Sequence, residues 1–317
     1  MSVALFTLGG TISMAGSHRL TGEDLTTAIP GVSELAVEIQ DVEKIPSGDL
    51  TAAKLLEVVD AASKAVTAGA AGAVVTQGTD TLEESTFLAD LVWPHPQPLV
   101  FTGAMRNPTL AGPDGPANLL AALRVASSPA ARDLGALVVF KEEIHAARWV
   151  RKTHSTSTAT FQSPNTGPIG HVVEDQVRIL TRPLRLDGVQ GSAEPAALDA
   201  TRVALYTVTM DDDGVLLRGV ADTHQGLVVA GFGVGHVPSA LAPVLGELAD
   251  RIPVVLTSRT GAGSIVRTTY RSPGSETDLL GRGLVDAGFL DPYKARILLR
   301  LLLATNEDIA LAFEQYV

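Results

Sequence analysis

Phe6-Thr7-Leu8-Gly9-Gly10-Thr11-Ile12-Ser13 is the stretch on which the reading of this chain turns. Val3, Ala4, Leu5 and Phe6 form a short apolar run, the pattern of a strand covered on both faces. Gly9-Gly10 breaks that strand. Paired glycines accept positive φ and let a ligand or another backbone come close. Thr11 then presents a hydroxyl just past the strand end. By itself the string also fits an ordinary strand followed by a turn. A second stretch, Thr76-Gln77-Gly78-Thr79-Asp80-Thr81, repeats the order of apolar strand, glycine and threonine and adds a carboxylate.

Outward from these two stretches the chain alternates strands and helices. Leu35 to Val42 reads as a strand, and Ser47-Gly48-Asp49 as a turn. Asp49 or Thr51 can cap a helix over Ala52 to Thr67, whose Leu55, Leu56, Val59, Ala62 and Val66 share one face. A strand at Ala73–Thr76 leads to a helix started by Asp80 or Thr81, with Glu83 and Glu84 suited to its positive end. A strand at Leu99–Ala104, a loop over Met105–Pro116, a helix over Asn118–Ala126 and a strand at Leu134–Phe140 follow. Ala15 to Asp24, polar and small, reads as a mobile surface loop. This alternation implies a parallel sheet with helices on both faces, whose ligands sit beyond the carboxyl ends of the strands. Thr11, Ser47, Thr79 and Asp80 all fall just after predicted strands, so the fold lets them converge.

The pattern fails between Arg182 and Arg202. Pro183, Asp187-Gly188, Gly191-Ser192 and Glu194-Pro195 read as an exposed connection. A shorter set follows, with strands at Val203–Val208, Leu227–Gly231 and Val254–Thr257 and a helix over Pro238–Leu248. Asp291 and Pro292 are the N-cap and first position of a last helix that is apolar almost all round. The expected fold class is α/β: a larger N-terminal parallel-sheet (flavodoxin-like) domain over residues 1–186, a linker over 187–202, and a smaller C-terminal α/β domain over 203–317.

At 317 residues the chain exceeds what one core usually holds, which supports two domains. A net charge of -11 argues against a nucleic-acid partner or an anionic membrane surface. With no cysteine there is no disulfide, iron–sulfur cluster or thiol nucleophile. The N-terminus lacks a signal-peptide pattern, and no apolar run reaches the roughly 18 residues of a membrane span. A soluble cytoplasmic protein is the default reading, with a mature secreted form as its alternative. The seven histidines lack metal-ligand spacing, so no metal is expected. Gly231, Gly233 and Gly235 lack the acidic ribose partner of a dinucleotide loop, and Gly261 and Gly263 are too sparse to cradle phosphate. No cofactor is expected.

The sequence resembles the bacterial-type L-asparaginases, two-domain α/β amidohydrolases with a threonine nucleophile. The resemblance rests on Gly9-Gly10-Thr11-Ile12, Ser47-Gly48-Asp49, Gly78-Thr79-Asp80-Thr81-Leu82-Glu83-Glu84, Gly103-Ala104-Met105-Arg106 and Asp114-Gly115-Pro116-Ala117-Asn118-Leu119. It continues through Lys152-Thr153, Ala159-Thr160-Phe161, Asn165-Thr166-Gly167-Pro168-Ile169-Gly170, Ser258-Arg259 and Pro292-Tyr293-Lys294-Ala295-Arg296.

The resemblance implies that Thr11 attacks the side-chain amide of L-asparagine, releases ammonia and forms an acyl-enzyme that water cleaves. It gives Thr79, Asp80 and Lys152 as the second catalytic group. Asp80 beside it favours charged Lys152, and an ammonium is no base, so Lys152 is as well suited to holding charge and geometry around Thr79. Ser47, Gly48, Gly78, Asp80 and Ala104 match substrate-binding positions, Ser47 toward the α-carboxylate and Asp80 toward the α-ammonium. Glu276 matches a glutamate that reaches the ammonium from a neighbouring subunit. The implied assembly is a homo-oligomer, a dimer or tetramer with its sites at subunit interfaces.

Three departures bear on this. Leu20 stands where the family's mobile loop carries a tyrosine, and no aromatic residue lies between Phe6 and Phe87. Tyr270 of a neighbouring subunit is a candidate substitute. Gly48 stands where several members have glutamine, and His236 where several have asparagine. The expectation is asparaginase activity with weak glutaminase activity. The alternatives are the amidase subunit of a tRNA-dependent amidotransferase, disfavoured because the chain starts directly at the first strand, and a non-catalytic amino-acid-binding homologue.

Overall fold

The strand that precedes the double glycine, β1 (Val3–Thr7), is buried at all five positions. The computed structural model describes residues 2–15, 18–27, 29–186, 188–189 and 194–315. The chain divides into two units, Met1–Gly188 and Val189–Val317.

In the first unit a small hairpin, β2 (Met14–Ala15) with β3 (His18–Arg19), precedes helix α1 (Gly22–Thr27). The stretch expected as an irregular mobile loop thus contains regular structure, apart from Gly16 and Ser17, which lie outside the described residues. The hairpin pairs backbones, and Asp24 accepts from the Thr21 N–H at 2.8 Å to start α1. Then follow β4 (Val37–Asp41), α2 (Ala52–Thr67), β5 (Ala73–Thr76), α3 (Leu82–Val92), β6 (Leu99–Thr102), α4 (Gly115–Ser127) and β7 (Ala136–Phe140). Thr51 caps α2, accepting from the Lys54 N–H, while the apolar face of the helix buries Leu55, Val58, Val59, Ala62 and Val66.

The order of the parallel strands is β4-β1-β5-β6-β7. This is the flavodoxin-like order, and the chain changes direction across the sheet between β1 and β5. The sheet does not stay parallel as expected. β8 (Glu143–Ala146) returns antiparallel to β7, and after the short ribbon of β9 (Arg151–Lys152) and β10 (Phe161–Gln162), β11 (Gly170–Val173) and β12 (Gln176–Ile179) complete eight strands. The reason lies in the turn Lys141-Glu142, with φ of 52° and 57°. Two consecutive left-handed residues make the tight hairpin turn that joins antiparallel strands. Neither is the glycine or asparagine that usually announces such a turn.

The second unit opens with α5 (Pro195–Ala200), where an irregular connection was expected. Glu194 stands at its N-cap and Pro195 at its first turn. Asp187, Gly191 and Ser192 of that connection lie outside the described residues. β13 (Val203–Thr207), α6 (Val220–Thr223), β14 (Gly226–Gly231), α7 (Leu241–Ala249), β15 (Val254–Ser258), α8 (Glu276–Gly281), β16 (Val285–Asp286), α9 (Pro292–Thr305) and α10 (Ile309–Glu314) follow. The four strands are parallel in the order β13-β14-β15-β16. Asp291 caps α9, accepting from the Tyr293 and Lys294 N–H groups. It also accepts from the fully buried Lys294 Nζ at 2.7 Å, so the charge of this helix's inward lysine is paired at its own cap.

Candidate active site

The ends of four adjacent strands, β6, β5, β1 and β4, carry the polar residues singled out in the first unit. After β1, Gly9 and Gly10 take φ of 89° and 88° and turn the chain into a short 3-10 helix, Thr11–Ser13. The Ser13 N–H and hydroxyl both donate to the Gly10 carbonyl, at 3.1 and 3.0 Å, and close this turn. A Cβ placed on Gly10 would lie 2.3 Å from the nitrogen of Gly78. The turns after β1 and β5 therefore meet backbone to backbone. Thr11 and Thr79 each follow that contact by one residue.

After β5, Gln77 holds the loop from behind, donating to the Gly78 carbonyl at 3.3 Å and to Ser85 Oγ at 3.1 Å. Thr79 is nearly buried. Lys152, brought in on the β9–β10 ribbon, donates from Nζ to Thr79 Oγ1 at 2.9 Å and to Asp80 Oδ1 at 2.8 Å. The Lys152 side chain is 16% exposed and that of Asp80 74% exposed. An ion pair so open on one side contributes no more than about 1 kcal/mol to stability. Its consequence is geometric: one side-chain nitrogen ties a hydroxyl and a carboxylate together.

Ser47 reaches the same place from beyond β4. It starts a 3-10 helix, Ser47–Asp49, and is buried. Its Oγ accepts from the Asp80 N–H at 3.3 Å, and its carbonyl accepts from Thr81 Oγ1 at 2.9 Å. A Cβ on Gly78 would come within 2.5 Å of Ser47 Oγ, so only glycine fits between them. A Cβ on Gly48 would meet nothing within 4 Å. From β6, Gly103 packs against this loop: its Cβ would lie 2.5 Å from the Gln77 carbonyl oxygen and 3.3 Å from Thr79 Cγ2. Ala104 beside it is buried.

The β9–β10 ribbon thus brings Lys152 to Thr79 and Asp80, while Thr11, Ser47, Gly48, Gly78, Thr79, Asp80 and Ala104 lie on neighbouring strand-end loops of the first unit. Leu20 is partly buried and packs against the apolar core there, its N–H donating to the Ser13 carbonyl at 2.7 Å. Two residues from the quoted strings, Asp114 and Asn118, tie down the loop after β6 and had no role in the sequence reading. Their spacing of four at a helix start was the available signal.

Glu276 lies in the second unit, at the start of α8, and is fully buried rather than a solvated loop carboxylate. It accepts from the Tyr270 N–H at 2.6 Å and pairs with His236 Nε2 at 3.2 Å. Burial pushes its carboxyl up, but the N–H donors of Tyr270 and its own backbone and the His236 ring outweigh this and hold it below the usual range. The Tyr270 ring stands edge-on to His236, centroids 4.7 Å apart. Among the described residues no group of three His, Cys, Asp or Glu side chains is arranged to hold a metal ion. No described helix is long and apolar enough to cross a membrane.

Two family models match the chain: Asparaginase, N-terminal, over residues 2–185, and Glutaminase/Asparaginase C-terminal domain, over residues 202–312. A probable L-asparaginase of Deinococcus radiodurans is 35% identical over 322 residues, covering 99% of this chain and 97% of the relative. An L-asparaginase of Bacillus licheniformis is 31% identical, with 96% of each chain covered. Among solved structures, a probable cytoplasmic L-asparaginase from Campylobacter jejuni superposes with a TM-score of 0.88 at 28% identity, covering 99% of this chain and 98% of that one.

Proposed function

The chain belongs to the asparaginase family, and from that premise we propose that it is an L-asparaginase, hydrolysing L-asparagine to L-aspartate and ammonia without a cofactor. The observation that carries the proposal is the double hydrogen bond from Lys152 Nζ to Thr79 and Asp80, next to the backbone contact of Gly10 with Gly78.

Thr11 Oγ attacks the side-chain amide carbon. Its proton passes to the leaving nitrogen, the C–N bond breaks and ammonia departs, leaving an ester on Thr11. Water then cleaves that ester and restores the hydroxyl. Thr79, whose oxygen already accepts from Lys152, is the group next to Thr11 suited to relaying these protons. Lys152 donates to both Thr79 and Asp80 and so holds them in place. Ser47 and the turn amides face the substrate α-carboxylate, and the exposed Asp80 carboxylate its α-ammonium. Gly78 and Ala104 line the pocket, and Gly48 leaves its wall open.

The active form is a homo-oligomer, a tetramer by family analogy; Glu276, fully buried against Tyr270 and His236 in its own unit, completes a neighbouring copy's ammonium site only when that packing opens. The likeness to a protein described as cytoplasmic supports a cytoplasmic location. Asparagine is the preferred amide, with glutamine turned over weakly.

Ammonia release from L-asparagine and L-glutamine, for wild type beside Thr11→Ala, tests this. The expected result is release from asparagine that vanishes in the variant, with kcat/KM for glutamine more than tenfold lower. The packing of Leu20 against the core favours a second reading, a binding protein without turnover. That reading predicts thermal stabilisation by asparagine and no ammonia.

A further inference from the structure

The loop from β6 to α4 is fixed by two side chains of the helix start. Asn118 is buried, and its Nδ2 donates to the Gly103 carbonyl at 3.0 Å and to Asp114 Oδ2 at 3.3 Å. Its Oδ1 accepts from the Lys141 N–H at 2.9 Å, which anchors it to the turn after β7. Asp114 accepts from the Met105 N–H at 3.1 and 3.0 Å with its two oxygens, and from the Arg106 N–H at 2.9 Å. The two peptides that flank Ala104 are therefore held by opposite ends: the first by its carbonyl on Asn118, the second by its N–H on Asp114.

A peptide is planar and trans, so its C=O and N–H point in opposite directions. With the Met105 N–H on Asp114, the Ala104 carbonyl is aimed away from Asp114. With the Gly103 carbonyl on Asn118, the Ala104 N–H is aimed away from Asn118. The neighbouring glycine contacts show where this segment lies. Gly103 touches the Gln77–Thr79 loop, and a Cβ on Gly115 at the start of α4 would lie 2.8 Å from Ile12 Cγ1 and 3.4 Å from Ala104 Cβ. The clamped peptide thus runs beside both threonine loops.

We propose that Asp114 and Asn118 are positioning residues for amide hydrolysis: they aim the Ala104 carbonyl at the NH2 of the scissile amide. This rests on the asparaginase reading of the site. A carbonyl oxygen only accepts hydrogen bonds. It matches an amide NH2, and then the departing ammonia, but not the carboxylate of the product. Loss of the clamp should therefore lower turnover of asparagine while sparing affinity for L-aspartate.

The test compares wild type, Asp114→Ala and Asp114→Asn in ammonia release from L-asparagine and in inhibition by L-aspartate, with a thermal melt of each. Wild-type ammonia release tests the asparaginase reading; a silent wild type overturns both. Given an active wild type, Asp114→Ala should lose at least tenfold in kcat while its inhibition constant for L-aspartate stays within threefold. Asp114→Asn keeps one acceptor oxygen and should recover part of the loss. Parallel loss of turnover and aspartate affinity, or kcat within twofold of wild type, overturns the clamp. Should Asp114→Ala fail to fold, Asp114→Asn decides alone: a three- to tenfold loss of kcat with aspartate inhibition unchanged supports it, and an unchanged kcat overturns it.

Discussion

Gly10 and Gly78 meet through their backbones, so closely that a single methyl group on Gly10 would overlap the Gly78 nitrogen at 2.3 Å. Gly10→Ala faces that overlap and also a φ of 88°. The left-handed backbone alone costs an ordinary residue about 1–2 kcal/mol, and an overpacked contact roughly 1–3 kcal/mol more. Gly9→Ala shares the left-handed φ, but its Cβ would come no nearer than 3.2 Å to any neighbour, Lys44 Cα, so it should cost less. Chemical denaturation of the two variants should rank them in that order, with ammonia release abolished in Gly10→Ala. Equal stabilities would contradict the backbone contact.

Lys152→Met removes the donor shared by Thr79 and Asp80. Because Asp80 is mostly exposed, the melting temperature should hardly change. Turnover should fall by about 10²–10⁴-fold, the usual size of a proton-transfer contribution. Activity within threefold of wild type would place Lys152 outside the machinery.

Gly48 is exposed, has no positive φ and leaves open space at its Cβ. Gly48→Ala should therefore fold normally and gain about 0.4–1 kcal/mol from a less flexible unfolded chain. Gly48→Gln restores a side chain at the pocket wall and should change the ratio of asparagine to glutamine turnover. A ratio unchanged from wild type would show that this wall does not touch the substrate.

His145 supplies an acid-sensitive element outside the proposed catalytic group. Its Nδ1 pairs with Ser163 Oγ at 3.0 Å, and its Nε2 lies 3.4 Å from a Glu143 oxygen. Burial first, and then nearby His171, lowers it from 6.5 to about 4, so at pH 7 the ring is neutral and its approach to Glu143 is no ion pair. Between pH 6.5 and 4 the unfolded chain binds a proton that the folded chain does not. The contribution is complete above pH 6.5 and is lost as pH falls toward 4; the depression corresponds to about 3 kcal/mol. Melting curves of wild type and His145→Gln across this range should converge as the pH falls. A constant gap from pH 7 to 4.5 would rule out the buried neutral ring.

Much of the first unit is legible because its signals are local. The helix Ala52–Thr67 stands where periodicity and Thr51 place it, and Asp291-Pro292 announces α9. The strands β8 to β12 are not legible. They hang on tight turns at Lys141-Glu142 and Glu174-Asp175, where Lys141, Glu142 and Glu174 hold positive φ without glycine or asparagine, a conformation imposed by the sheet they join. The helix α5 hides in a stretch rich in turn residues, because Pro195 reads equally well as a break and as a helix start.

What the sequence by itself determined is the repeated punctuation: apolar strand, glycine, threonine, and the α/β alternation that sends such strand ends to one edge of a sheet. These are local consequences of side-chain period and of the φ that glycine allows. The tertiary structure decided which of them meet. The change of direction between β1 and β5 sets Gly10 on Gly78, and the β9–β10 ribbon delivers Lys152 to Thr79 and Asp80 across more than seventy residues of sequence. It also made Glu276 a buried carboxylate held by Tyr270 and His236 and packed Leu20 against the core. Such contacts depend on packing between segments far apart in the chain, and no local pattern encodes them.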